Sequence, residues 1–77
     1  MSIFSNRLKE LRMYHGMTLQ QIAKLVNVSH VSYLHWEQGK TEPSISTILL
    51  LCNIFNVSAD YLLGLENEDG TRKYKLN

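Results

Sequence analysis

The side chains in this sequence that could ligate a metal, move a proton or attack a carbonyl are few: His15, His30 and His35, a single cysteine at Cys52, and seven carboxylates. Their spacing does not gather them. His30 and His35 are five apart, about 140° around a helix, whereas a shared metal needs ligands on one face, as an i, i+4 pair provides. Cys52 falls in an apolar run with Ile45, Ile48 and Leu49, where a buried thiol that only packs is the ordinary case. No glycine-rich phosphate loop and no carboxylate pair suited to acid–base work occurs. The residues point away from catalysis, and neither a metal site nor a cofactor is expected.

What remains is recognition chemistry, concentrated between Thr18 and Lys40 in TLQQIAKLVNVSHVSYLHWEQGK. Two short helices joined by a tight turn around Asn27 form the layout of a helix-turn-helix, whose second helix can enter a DNA major groove. With Ser29 at 0° and about 100° per residue, Tyr33 falls near about 40° and Trp36 near about 340°, which defines an inward face. His30, Leu34, Val31 and His35 then fall at about 100°, 140°, 200° and 240°, on the outward face. Valine and leucine on an outward strip suit a helix that meets something rather than one that is only solvated.

These groups need helices to hold them, and the sequence punctuates helices repeatedly. Thr18 can cap a helix with Gln21 reaching back as a capping box, and Met17 can staple onto Ile22. Val28-Ser29 with Tyr33, and Val57-Ser58 with Leu62, repeat that spacing, each after an asparagine that tolerates the left-handed conformation closing the previous helix. This stop-and-start reading explains both Asn-Val-Ser copies, at Asn27 and Asn56, without invoking glycosylation. Pro43-Ser44 opens a further helix, and Gly16, Gly39 and Gly64 fall where helices should stop. The spacing predicts an all-α chain with helices near 3–15, 18–26, 29–37, 44–55 and 58–63. Residues 1–64 form the folded domain and 65–77 a charged tail, flexible or a dimerisation arm, in which Arg72, Tyr74 and Leu76 alternate like a weak strand.

Length and composition agree with one small domain: 77 residues, 44% hydrophobic and 19% charged, with one proline. One cysteine precludes an internal disulfide, and Arg7, Lys9 and Glu10 interrupt the amino terminus before an apolar run develops, so a cytoplasmic protein with no membrane partner is expected. The net charge is +1, but residues 1–40 carry Arg7, Lys9, Arg12, Lys24 and Lys40 against Glu10 and Glu37, an excess of three positive charges. That bias suits a polyanion-binding face, although a solvated helix surface gives the same count.

The ordered set Arg7-Leu8-Lys9-Glu10-Leu11-Arg12, Met17-Thr18, Ile22-Ala23, Val28-Ser29, Trp36-Glu37-Gln38-Gly39-Lys40, Pro43-Ser44 and Val57-Ser58-Ala59-Asp60-Tyr61-Leu62-Leu63-Gly64 resembles the Cro/C1-type (XRE) helix-turn-helix repressors over residues 5–64. The resemblance implies a five-helix lambda-repressor-like domain that binds double-stranded operator DNA through the major groove as a homodimer. Carried over by position, it assigns His30, Val31, Ser32, Leu34 and His35 to base reading and Thr18, Gln20, Gln38 and Lys40 to phosphate contact. It also assigns Arg12 and Glu37 to an internal ion pair, the alternatives for Arg12 being a phosphate contact or an exposed charge.

Departures from the family pattern carry information too. Leu19 stands where a phosphate-binding glutamine is usual, Asn27 replaces a turn glycine, and His30 replaces a longer Arg or Gln at the first reading position. The helix opened by Ser44 carries no charge from Ser44 to Phe55, with Ile45, Ile48, Leu49 and Cys52 expected on one apolar face and Leu51 and Ile54 of the second face expected to be covered by neighbouring helices. Leu50, Tyr61 and Leu65, with Tyr74 of the tail, are then expected at a two-fold interface. A regulator of phage or mobile-element type is the first reading. The rival is an antitoxin or similar module of the same fold that neutralises a partner protein, and the tail also resembles the linker of a longer repressor.

Overall fold

Each helix begins on a hydroxyl that replaces a hydrogen-bond partner its first turn lacks. The computed structural model describes residues 2–72, in which Ser2, Thr18, Ser29, Ser44 and Ser58 hold extended backbone and each accepts the amide hydrogen bond of the residue three further on. The helices they start are α1 (Ile3–Tyr14), α2 (Leu19–Leu25), α3 (His30–Glu37), α4 (Ile45–Phe55) and α5 (Ala59–Leu63). At Thr18 the capping box is complete, since Gln21 Oε1 accepts from the Thr18 amide at 2.8 Å. The Ser2 cap lies outside the pattern that the sequence advertises for the others. Asn27 and Asn56 hold left-handed backbone at φ 59° and 55°, which asparagine tolerates better than most residues because its side chain bonds locally. Gly64 closes α5 at φ 89°, where a Cβ would stand 3.1 Å from Ile3 Cγ2, so both conformation and the approach of α1 require glycine there.

The core gathers Leu8 of α1, Ile22, Ala23 and Val26 of the α2 region, Tyr33 and Trp36 of α3, Leu51, Cys52 and Phe55 of α4, and Leu62 of α5. α2 packs most closely on α3, and α1 lies against both α3 and α5. Leu19 is half-buried against this core, so the side chain that replaces the expected phosphate-binding glutamine works in packing instead. The five helices leave no strand among the described residues, only an isolated antiparallel bridge between Glu66 and Arg72.

α4 meets the sequence expectation at Leu51, Cys52 and Ile54 and departs from it at Ile45 and Leu49. Leu51 is fully buried with Cys52 and Phe55, and Ile48 is half-buried, whereas Ile45 is 78% exposed and Leu49 55% exposed. A helix that is apolar nearly all round has no single stripe, so periodicity alone cannot select its inward side. Cys52 is buried as expected, and burial pushes its thiol up, away from the thiolate that reactive cysteines need.

Beyond α5 the chain turns back on itself. Asn67 donates to Thr71 O at 2.8 Å, Gly70 to Asn67 O at 3.0 Å, and the Thr71 amide to Asp69 Oδ1 at 3.0 Å, which holds the Asp69 carboxyl below its ordinary range. Arg7 of α1 ties this turn to α5: its Nη1 donates to the carbonyls of Tyr61 and Glu66, and its guanidinium lies 4.1 Å over the Tyr61 ring. Arg72 pairs with Asp60, and Ser58 donates to Glu66. Tyr74 and Leu76, the other residues of the weak strand pattern, lie outside the described residues.

Candidate nucleic-acid interface

The placement of α3 follows from what its inward residues bond. Tyr33, Trp36 and Glu37 are buried, the two rings meeting edge to face at 5.7 Å, so the helix is seated by aromatic packing at its centre. Glu37 fixes its far end. Arg12 of α1 donates through Nε to Glu37 Oε2 at 2.7 Å and through Nη2 to Oε1 at 3.1 Å, a two-pronged pair, while its Nη1 donates to Met17 O at 3.0 Å. One guanidinium therefore joins the end of α1, the turn leading into α2 and the end of α3. Glu37 raises the Arg12 pKa, its hydrogen bond outweighing the opposing effect of burial. Burial, then Glu37, pushes the Tyr33 phenol well above its ordinary range. The Tyr33 hydroxyl feels both partners yet makes no hydrogen bond of normal geometry.

With those residues inward, the opposite side of α3 is presented outward. His30, Val31 and Ser32 are exposed on its first turn, Val31 at 48%, which is high for a valine with no partner. Leu34 and His35, one turn later, are half-buried. Thr18 and Gln20 are exposed at the start of α2, and Gln38 and Lys40 at the end of α3. Because Arg12 binds both Met17 O and Glu37, these two pairs flank one corner of the molecule.

The backbone sorts which groups at that corner remain available. The Gln38, Gly39 and Lys40 amides donate to Leu34 O, Trp36 O and His35 O, so only the Gln38 side chain and the Lys40 ammonium can reach outward from that end. At the start of α2 the Thr18, Gln21 and Ile22 amides are bonded within the cap, whereas the Leu19 and Gln20 amides donate to no atom among the described residues. The positive excess of residues 1–40 is also partly internal. Arg12 serves the buried pair and Arg7 the α5 carbonyls, which leaves Lys9, Lys24 and Lys40 exposed.

Sequence reasoning had no signal for three features near this site: the role of Arg7, the packing of Leu19, and the seat of the Tyr33 hydroxyl beside the ion pair. No group of three His, Cys, Asp or Glu side chains is gathered for a metal among the described residues. No helix among them is long and apolar enough to cross a membrane.

The helix-turn-helix family matches residues 8–62 of the chain. The regulator ImmR of Bacillus subtilis is 40% identical over 58 residues, which is 75% of this chain and 46% of ImmR. A transcriptional regulator from Listeria innocua superposes with a TM-score of 0.78 at 34% identity, covering 84% of this chain and 61% of that one. The P22 c2 repressor, solved in complex with a synthetic operator, superposes with a TM-score of 0.75 at 30% identity over 82% of this chain and 96% of its own. The chain spans about half the length of four of the Bacillus subtilis relatives it matches, 46% to 58% of each.

Proposed function

The chain belongs to the Cro/C1-type helix-turn-helix family, and from that premise we propose that it is a sequence-specific DNA-binding transcriptional regulator, a repressor of phage or mobile-element type that occupies its operator as a dimer. The observation that carries this reading is the first turn of α3: His30, Val31 and Ser32 stand exposed on a helix whose other side is fixed by Tyr33, Trp36 and the Arg12–Glu37 pair. An imidazole can donate to guanine N7 or O6, a hydroxyl can pair with several bases, and an exposed valine packs on a thymine methyl. Thr18, Gln20, Gln38 and Lys40 supply the phosphate contacts that fix the register, and Leu34 and His35 complete the base-facing strip.

Mobility shift against DNA selected from a random pool tests the reading. With only Lys9, Lys24 and Lys40 exposed among the cations of residues 1–40, a shallow slope of roughly −3 to −6 in log K against log salt is expected. Lys40→Ala should weaken binding equally on all sequences, while His30→Ala and Val31→Ala should each cost about 1 to 3 kcal/mol and relax discrimination at particular base pairs. Substitutions at His30, Val31 and His35 that leave the preferred sequence unchanged would remove α3 as the reading helix.

The dimer is assigned to the outer side of α4 and the neighbouring end of α5. Ile45, Leu49 and Leu50 are exposed on one uncharged helix, and Leu65, after α5, is 41% exposed, whereas Tyr61 is half-buried under Arg7. Ile45 and Leu49 extend the interface expected at Leu50, Tyr61 and Leu65, and a two-fold axis there would set two reading helices about 34 Å apart. Sedimentation at micromolar concentration checks it: wild type should be a dimer, and Leu49→Lys and Leu50→Lys should shift it to monomer and weaken operator binding. Monomers throughout with full operator affinity would sink the assignment. The antitoxin reading finds support in the exposed apolar residues Met13, Tyr14 and Leu25, the last of which lines a groove with Met17, Gln21 and Lys24. It predicts a shift that changes when the neighbouring gene product is added.

A further inference from the structure

We propose that Ser29 presets the Ser32 hydroxyl as a hydrogen-bond donor towards DNA, so that this position selects acceptor atoms: base-edge N7, O6 or O4, or a phosphate oxygen. The inference rests on the DNA-binding reading above and adds the polarity of one contact to it.

A serine hydroxyl is ordinarily ambivalent, with one proton to give and two lone pairs to offer, and for that reason serine pairs with many bases. On α3 the ambivalence is reduced by the helix cap. The Ser32 amide donates to Ser29 Oγ at 3.1 Å, which directs one of the two Ser29 lone pairs at the backbone and leaves the Ser29 proton free to be given elsewhere. It goes to Ser32 Oγ at 3.0 Å. Ser32 is thereby an acceptor on its inner side, and its own proton has no acceptor among the described residues although the side chain is exposed. A hydroxyl that already accepts one hydrogen bond is polarised into a better donor.

The same cap in α1 ends differently. There Ser2 donates to Ser5 Oγ at 3.3 Å, but Ser5 is buried and returns its proton to Ser2 O at 3.0 Å, closing the relay on the helix itself. On α3 the relay stays open, since Ser32 is exposed on the first turn and donates to no atom among the described residues. Cytosine offers only its N4 amino group in the major groove, whereas guanine, adenine and thymine each present an acceptor there. If the partner is a base, cytosine on the facing strand is the one excluded. Phosphate oxygens accept only, so a backbone partner gains from the same polarity.

Site selection and equilibrium titration of wild type, Ser29→Thr, Ser29→Gly, Ser32→Ala and the Ser29→Gly/Ser32→Ala double variant test the relay, with thermal melting to confirm that each is folded. Threonine keeps the cap and the donated proton, and glycine removes the proton at a capping cost of only a few tenths of a kcal/mol. Ser29→Gly is expected to lower binding by up to about 5-fold, the effect of one neutral hydrogen bond being the ceiling, and to do nothing further once Ser32 is alanine. Ser29→Thr should match wild type within about 2-fold. A loss confined to one base pair identifies a base acceptor, and a loss equal on all sequences identifies phosphate. The relay is overturned if Ser32→Ala weakens binding and Ser29→Gly does not, if the Ser29→Gly loss persists undiminished in the Ser32→Ala background, or if Ser32→Ala matches wild type. Each of those results leaves the DNA-binding reading intact, whereas wild type without sequence preference overturns both.

Discussion

Replacing Arg12 with methionine is expected to destabilise the domain by about 3 to 5 kcal/mol, because it strips the cation from a carboxylate that the fold has already taken out of water. Glu37 is 3% exposed, and both of its oxygens are bonded to Arg12 at 2.7 and 3.1 Å. The other polar group nearby is the Tyr33 hydroxyl, which makes no hydrogen bond of normal geometry and is itself desolvated. Among the described residues no second cation pairs with the carboxylate once the guanidinium is gone. Domains of this size have total stabilities near the low end of about 5 to 15 kcal/mol, so the variant should be largely unfolded at elevated temperature. Methionine at both positions should recover most of the loss, since an apolar pair removes the desolvation cost along with the attraction. Urea denaturation of the two single variants and the double variant measures the coupling directly. A single-variant loss below about 1 kcal/mol would show that Glu37 finds water or another partner, and would remove the pair as the anchor of α3.

The consequence for recognition runs through position rather than contact. Arg12 touches α3 only at its end, and its third bond, to Met17 O, fixes the entry into α2. An Arg12 variant that remains folded at low temperature should still lose operator affinity, because the exposed groups of α3 and those of α2 would no longer hold one register on the duplex.

The places where the fold was legible in the sequence share a cause. Thr18, Ser29, Ser44 and Ser58 sit at helix starts, and Asn27 and Asn56 at helix ends, because those roles depend on bonds within three or four residues, which a linear pattern records. The inward placement of Tyr33 and Trp36 follows from helical periodicity in the same way. Arg7 was legible only as a charge. Its bonds to Tyr61 O and Glu66 O join residues 54 and 59 positions apart, and no local pattern announces them. Leu19 illustrates another limit: a departure from the family's usual residue looked like a lost contact, and the structure shows the side chain packed on the core.

α4 shows the limit most plainly and yields the second large expected effect. From Ser44 to Phe55 the helix has apolar residues on every side, so periodicity could seat Ile45, Ile48, Leu49 and Cys52 inward as readily as the face that the neighbouring helices in fact cover. Packing decides it: Leu51 is fully buried in contact with the core that includes Phe55, while its neighbours Leu49 and Leu50 are 55% and 41% exposed. Leu51→Ala is therefore expected to cost about 2 to 5 kcal/mol, the transfer cost of the lost methyl groups plus the cavity left in a close-packed interior. For a domain of this length that lowers the melting temperature by more than about 10 °C. Leu49→Ala removes the same atoms from a surface site and should cost less than about 1 kcal/mol in the monomer. In the proposed dimer the side chain would be covered by the second copy, so the loss for Leu49→Ala should grow with protein concentration, and its melting temperature should fall on dilution more steeply than that of wild type. The loss for Leu51→Ala should be the same at every concentration. Calorimetry of the two variants over a hundredfold range of protein concentration separates the cases, and a Leu49→Ala loss equal to that of Leu51→Ala in the dilute limit would mean that α4 is seated with Leu49 inward.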